Sequence, residues 1–231
     1  MSHTKSAIPA RILAAAEGLF AEFGYQGCSL LKIAKASGTS ESGVLRFFST
    51  KEDVFLAVIE SALDILHHRL DRDLRALPEA LANDPVEQLL SVLKSVLELY
   101  HETPDKIALI FSEGGLSIRM LRGSQGRTLM TLPGMLKLVD RITALFSKGR
   151  QQGTFRGVDP VAAREIYFGL IEGVILGWLL SSDSAAPYRS AAPKKVLVAA
   201  RMMLGGLAAG SRKVRPVNRR QPTGGDTGKY P

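Results

Sequence analysis

The sequence predicts an all-α protein, and three observations carry that expectation. Apolar residues return at the helical period in every segment long enough to judge. No stretch alternates apolar and polar side chains strictly enough to argue for a strand. Three boundaries share one idiom, a capping oxygen followed by proline at the first helical position: Asp84-Pro85, Thr103-Pro104 and Asp159-Pro160.

Taken in chain order, the first helix carries the stripe Ile12, Leu13, Ala16, Leu19, Phe20 and Phe23 and stops at Gly24. The units then shorten: Ser29 to about Ser37, and Ser40 to about Phe48, with Ser37-Gly38-Thr39 between them. Thr50, with Asp53 three residues on, is a capping-box-like start for a long helix striped by Phe55, Leu56, Ile59, Leu63, Leu66 and Leu70. It stops in the Leu77-Pro78 region. From Asp84-Pro85 the next stripe is Val86, Leu89, Leu90, Leu93, Val96, Leu97 and Tyr100, the spacing of a core-facing helix. Gly114-Gly115 and Gly123 to Gly126 leave the middle segmentation open. Gly153 closes a helix, Gly153 to Asp159 is a loop, and the most apolar stretch, Val161 to Leu180, follows. A second apolar helix runs from about Lys194 to Leu207. Residues 211–231 combine Arg and Lys with Pro and Gly and read as a disordered basic tail.

Composition narrows the function classes. With 45% hydrophobic and 23% charged residues over 231 positions, the chain can bury a sizeable core. Its one cysteine, Cys28, excludes an internal disulfide and a multi-cysteine metal site, which fits a reducing compartment. The apolar run Ile12 to Ala16, closed by Glu17, is too short for a signal peptide, so the start reads as cytoplasmic. Arg164, Glu165 and Glu172 argue against a membrane span over 161–180. No HExxH, P-loop or G-x-S-x-G arrangement offers an enzyme its residues, and no cofactor is implied. His67 and His68 have Asp64 and Asp71 near them, but adjacent histidines face different sides of a helix, so no metal site is expected.

The net charge of +8 is uneven. Residues 1–51 carry +3, residues 52–210 balance to 0, and residues 211–231 carry +5. Basic ends on a neutral middle suggest a polyanion partner, double-stranded DNA first. The two short helices around a glycine turn have the pattern of a helix-turn-helix, whose second helix enters the major groove. Ile33, Ala34 and Val44 would lock the pair. Thr39, Glu41, Ser42, Gly43 and Arg46 would face outward, while Phe47-Phe48 turns inward or onto the DNA backbone. Lys51 stands at a helix N-terminus suited to a phosphate.

Residues 12–60, from ILAAAEGLFAEFGYQG through SLLKIAKASGTSESGVLRFFSTKEDVFLAVIE, resemble the DNA-binding domain of the tetracycline-repressor (TetR) family of bacterial transcriptional regulators. The likeness runs ungapped through the LF, FGY, S-x-x-x-IA, SG-x-S and F-x-[ST]-KE elements. It implies a three-helix domain over residues 1–50 and a helical ligand-binding and dimerisation domain over 51–210. It also implies phosphate contacts at Ser29, Phe47 and Lys51 and base-edge contacts from Thr39, Ser40, Glu41, Ser42, Gly43 and Arg46. Family members commonly carry tyrosine where this chain has Leu45, and histidine or tyrosine at Arg46 and Phe47, so here Arg46 and Lys32 would supply charge in place of hydroxyls.

Residues 104–207 resemble a branch of the family frequent in actinobacteria, chiefly through GTFRGVDPVAAREIYFGLIEGVILGWLL. Gly169, Gly173 and Gly177, spaced by four, would line a face that a partner helix approaches closely in a homodimer. Glu172 would sit at that seam, in a ligand pocket, or at the wet edge of its helix. Tyr100, Phe111, Met120, Tyr167, Glu172 and Trp178 are the candidate contacts for a small-molecule effector, although the aromatic residues suit a core equally well. The function expected is a repressor released from its operator by a ligand. The alternative is a DNA-binding regulator with no small-molecule pocket, controlled by a partner or acting as an activator.

Overall fold

The computed structural model describes residues 3–103, 129–181 and 193–209. These form α1 (His3–Gly27), α2 (Leu30–Ala36), α3 (Glu41–Leu45), α4 (Lys51–Arg75), α5 (Pro85–Glu102), a 3-10 turn (Leu129–Thr131), α6 (Pro133–Gln151), α7 (Pro160–Ser181) and α8 (Pro193–Ala209). Among the described residues there is no strand, and no helix is long and apolar enough to cross a membrane. The all-helical expectation therefore holds. The Thr103-Pro104 start, the glycines of the middle segment, Phe111, Met120 and the tail 211–231 lie outside the described residues.

Local chemistry sets the boundaries. At Gly24 the backbone takes φ 67°, breaking the helical path before one last turn to Gly27, so the stop expected there is a kink and α1 ends three residues later. Thr50 Oγ1 accepts from the Asp53 N–H while Asp53 accepts from the Thr50 N–H, a reciprocal capping box. Asp84 caps α5 through the Val86 N–H, and Asp159 caps α7 through the Val161 and Ala162 N–H groups. The third helix is shorter than the Ser40 to Phe48 expected, since regular turns give out after Leu45.

One buried cluster runs through all these helices. The rings of Phe20, Tyr25 and Phe55 meet edge-on or stacked, joining α1 to the start of α4. Farther along, α4 packs on α5 and α6. Its Glu60 accepts from the Gly134 N–H at 2.8 Å, replacing the side-chain cap that Leu132 does not provide at the start of α6. His67, buried beside it, meets the Gly134 carbonyl at 2.8 Å through Nε2. A carbonyl only accepts, so Nε2 carries the proton. His68 is exposed on another side of α4. Arg141 of α6 pairs with Asp71 of α4 and holds that carboxyl below the usual range.

The loop after α6 is wedged from within. Phe155 is fully buried, its ring tilted against Phe146 at 5.4 Å between centroids, and donates its N–H to the Gly149 carbonyl at 3.1 Å. A Cβ on Gly149 would run into the Phe155 ring. Gly149→Ala is therefore expected to destabilise the protein by about 1–3 kcal/mol through overpacking, read as a lower denaturation midpoint with an unchanged slope. A midpoint equal to that of wild type would mean that the ring moves aside at no cost.

Candidate DNA interface

The α2–α3 unit is built by satisfying the ends of two very short helices. Ser29 Oγ accepts from the Lys32 N–H and caps α2. At its other end Gly38, at φ 64°, donates to the Lys35 carbonyl, and Thr39 donates to the Ala34 carbonyl at 2.9 Å. This is the paired closure that a left-handed glycine makes possible. Buried Ser37 adds a bond from Oγ to the Ile33 carbonyl at 2.7 Å. Ser40 then opens α3, its Oγ accepting from the Gly43 N–H at 3.1 Å. Ile33, Ala34 and Val44 are all buried between the helices.

What remains outside is a short polar ridge. Glu41, Ser42 and Arg46 are exposed, with Thr39 and Gly43 half-buried and Ser40 exposed at the cap, bonded to Ser42 at 2.9 Å. A Cβ added at Gly43 would run into the Thr39 hydroxyl, which would have to turn aside. The Arg46 guanidinium sits 5.0 Å from the Phe47 ring centroid, so the two side chains leave the helix together. Phe48 packs inward against the core, and Phe47 stays exposed, which divides the pair that the sequence left open. Leu45 is also exposed beside Arg46.

Two lysines expected to meet phosphate also bond the protein's own carbonyls. Lys51 Nζ donates to the carbonyls of Tyr25 at 2.8 Å and Cys28 at 3.0 Å, and lies 4.1 Å from the Tyr25 ring centroid. Lys32 Nζ donates to the Gly27 carbonyl at 2.8 Å and lies over the Phe23 ring. These cations close the carbonyl end of α1. Burial pushes the Cys28 thiol up, against the pull of Lys51 and Lys32, which leaves it an inert core residue.

The candidate effector contacts separate into two groups. Tyr100, Tyr167 and Trp178 are buried: Tyr100 and Trp178 have ring centroids 5.2 Å apart, and Tyr167 donates its hydroxyl to the Leu89 carbonyl. Burial drives the Tyr167 hydroxyl far above its ordinary range, so it acts only as a neutral donor. Glu172 does not join them. It is exposed on the opposite side of α7, on the stripe of Gly169, Gly173 and Leu176. A cleft of about 340 Å³ opens elsewhere, where Asp73, Ser91, Lys94 and Leu197 line a gap between α4, α5 and α8. None of the residues nominated from the sequence lies in it.

Comparison with known proteins agrees with this geometry. Residues 12–58 match the family model described as bacterial regulatory proteins, tetR family. The HTH-type transcriptional regulator RutR of Escherichia coli (strain K12) is 31% identical over 160 residues, covering 69% of each chain. The fatty acid metabolism regulator protein of Bacillus subtilis (strain 168) is 25% identical over 174 residues, 75% of this chain and 84% of that one. Among solved structures, AibR in complex with isovaleryl coenzyme A and operator DNA has a TM-score of 0.59 at 22% identity, covering 87% of this chain and 97% of that one. That last likeness speaks for the fold. An exposed polar α3 on a capped helix-turn-helix, within a chain this similar to such regulators, identifies the protein as a member of the TetR family, a DNA-binding transcriptional regulator and not an enzyme.

Proposed function

We propose that this protein is a homodimeric repressor that leaves its operator when a small molecule binds the helical body. The observation that carries the DNA half is α3 itself: a capped helix with one buried residue, Val44, and every polar side chain turned to solvent. In this reading Thr39, Ser40, Glu41, Ser42, Gly43 and Arg46 face base edges, and Ser29, Lys32, Phe47 and Lys51 form the flank nearest the phosphates. Residues 1–50 act as the DNA-binding domain, residues 51–210 as the ligand-binding and dimerisation domain, and residues 211–231 as a basic tail.

The dimer half rests on the outer faces of α7 and α8. An added Cβ at Gly169 or Gly173 would meet no described atom within 4 Å. The same two helices leave Ile166 67% and Met202 74% exposed, with Leu176, Val198 and Met203 exposed beside them. Exposed apolar side chains and glycines on these two helices suit a close-packed two-fold pairing, which in solution would cover them. The effector class is suggested by the relatives. One is named as a regulator of fatty acid metabolism and a similar structure holds an acyl-coenzyme A. An acyl-coenzyme A thioester is therefore the first effector to test, in the region around Tyr100, Tyr167 and Trp178.

Selection of duplexes from a random pool tests the DNA reading. Against the selected duplex, Arg46→Ala is expected to lose about 1–3 kcal/mol, as for a bidentate guanine contact. Lys51→Ala is expected to lower the salt slope by about one unit, because its two carbonyl acceptors are neutral and leave the ammonium's charge beside the phosphates; an unchanged slope would confine Lys51 to closing the end of α1. Arg46→Ala binding as tightly as wild type would remove α3 from the base-reading role.

Gly173→Leu should fold, since an added Cβ meets no described atom within 4 Å, yet sediment as a monomer at concentrations where wild type is dimeric. A fully dimeric variant would place the two-fold axis elsewhere. Titrating acyl-coenzyme A thioesters of increasing chain length into the protein–DNA complex should release the duplex at one range of lengths and leave it bound with free coenzyme A. Retention with every thioester would overturn this effector class.

A further inference from the structure

Arg11 has no part in the reading above, yet its side chain reaches from α1 to the turn of the recognition unit. Its Nη2 donates to the Ser37 carbonyl at 2.6 Å and to the Gly38 carbonyl at 3.2 Å, bonds that span 26 and 27 residues of sequence. The two acceptors belong to the turn between α2 and α3. The carbonyls of Ile33, Ala34 and Lys35 are already closed by Ser37, Thr39 and Gly38. Those of Ser37 and Gly38 point away from both short helices, toward α1.

Among the described residues the other hydrogen bonds of the turn all run back into α2, so Arg11 supplies its tie to α1. The turn pivots on a left-handed glycine, and Gly38 is also where an added Cβ would stand 3.1 Å from Arg11 Nη2. Helix α3 is only five residues long and buries a single side chain, so hydrophobic packing alone holds it weakly against rotation. Two charge-assisted hydrogen bonds on the peptide groups immediately before Thr39 set where α3 begins and how it is turned. Ile12, the next residue of α1, is fully buried, which anchors the base of the clamp in the core.

We propose that Arg11 is a positioning residue for operator recognition: it fixes the Ser37-Gly38 turn and so sets the register of Thr39 and α3 against the base pairs, without itself meeting a phosphate. The proposal rests on the DNA-binding reading and is separable from it. A displaced reading helix loses base contacts while the phosphate contacts that drive non-specific binding persist.

The test compares wild type, Arg11→Met and Arg11→Lys on the duplex that wild type selects from a random pool and on random duplex, each across a range of salt. Arg11→Met, which keeps the apolar stem and removes the donors, is expected to bind the selected duplex about tenfold more weakly, the loss typical of a charge-assisted hydrogen bond. Its affinity for random duplex and its salt slope should match wild type, and amide exchange over Gly38 to Gly43 in the free protein should accelerate. Arg11→Lys, which can still donate to one carbonyl, should recover part of the loss. An equal fall on both duplexes with a salt slope lower by about one unit would make Arg11 a phosphate ligand and overturn the proposal. So would an equal fall with an unchanged slope and a lower melting temperature, the mark of a merely structural role. Arg11→Met indistinguishable from wild type on the selected duplex overturns the proposal alone, whereas a wild type that selects no duplex overturns the DNA-binding reading and the proposal together.

Discussion

The recognition unit of this protein depends on one constraint, the backbone carbonyls at the ends of very short helices. A helix leaves its last four carbonyls without intrahelical partners, so in the seven residues of α2 more than half the carbonyls need help from outside. Ser37, Thr39 and Gly38 fold back onto the Ile33, Ala34 and Lys35 carbonyls, and cations close the carbonyls of the segments that flank α2: Arg11 on Ser37 and Gly38, Lys32 on Gly27, Lys51 on Tyr25 and Cys28. Basic side chains near a DNA face are usually assigned to the polyanion. Here three of them hold the face together, and the recognition ridge itself carries only Arg46.

That arrangement explains why the ridge can be so spare. A helix of five residues with one buried valine has too little apolar surface to fix its own orientation, since burying one such side chain contributes only about 1.5–3 kcal/mol. The rest comes from ends held in place: Ser40 at the start of α3, the left-handed glycine before it, and the Thr50–Asp53 capping box that restarts the chain a few residues on. Polar side chains on such a scaffold are presented with few degrees of freedom, which is what base-edge hydrogen bonds require.

Much of this was legible in the sequence, and the reason is that its signals are local. A capping serine, a glycine at the turn and a proline after an aspartate each act over three or four residues, so Ser29, Gly38, Ser40, Thr50, Asp84 and Asp159 announce their roles in a linear reading. The buried trio Ile33, Ala34 and Val44 follows from helical spacing in the same way. The bonds that a linear reading does not show are those whose partners lie far along the chain. Lys51 finds acceptors 23 and 26 residues back, Arg11 reaches 26 and 27 residues on, and Glu60 caps a helix 74 residues away. No periodicity encodes such a bond. Glu172 was ambiguous for a different reason: in a helix as apolar as α7, hydropathy barely distinguishes its faces. Only packing shows that Tyr167 and Trp178 turn inward while Glu172 shares the outer stripe with Gly169 and Gly173.

The same long-range bonds give α4 its place in the molecule. Its first turns belong to the DNA-binding end, through Phe55 against Phe20 and Tyr25 and through Lys51 on the end of α1. Two and a half turns from Lys51, Glu60 grips one side of the Gly134 peptide, and His67 grips the other two turns later. A Cβ on Gly134 would stand 2.7 Å from the Leu63 Cβ, so α4 and the start of α6 cross at backbone contact there. Close crossings of this kind are stiff, because neither helix can slide without breaking a hydrogen bond or driving one backbone into a side chain of the other. The helical body and the α2–α3 unit are therefore joined by packed rings and buried hydrogen bonds along one 25-residue helix, and not by a flexible linker. The Glu60–Gly134–His67 crossing and the corner where Lys51 meets Tyr25 thus lie on one helix.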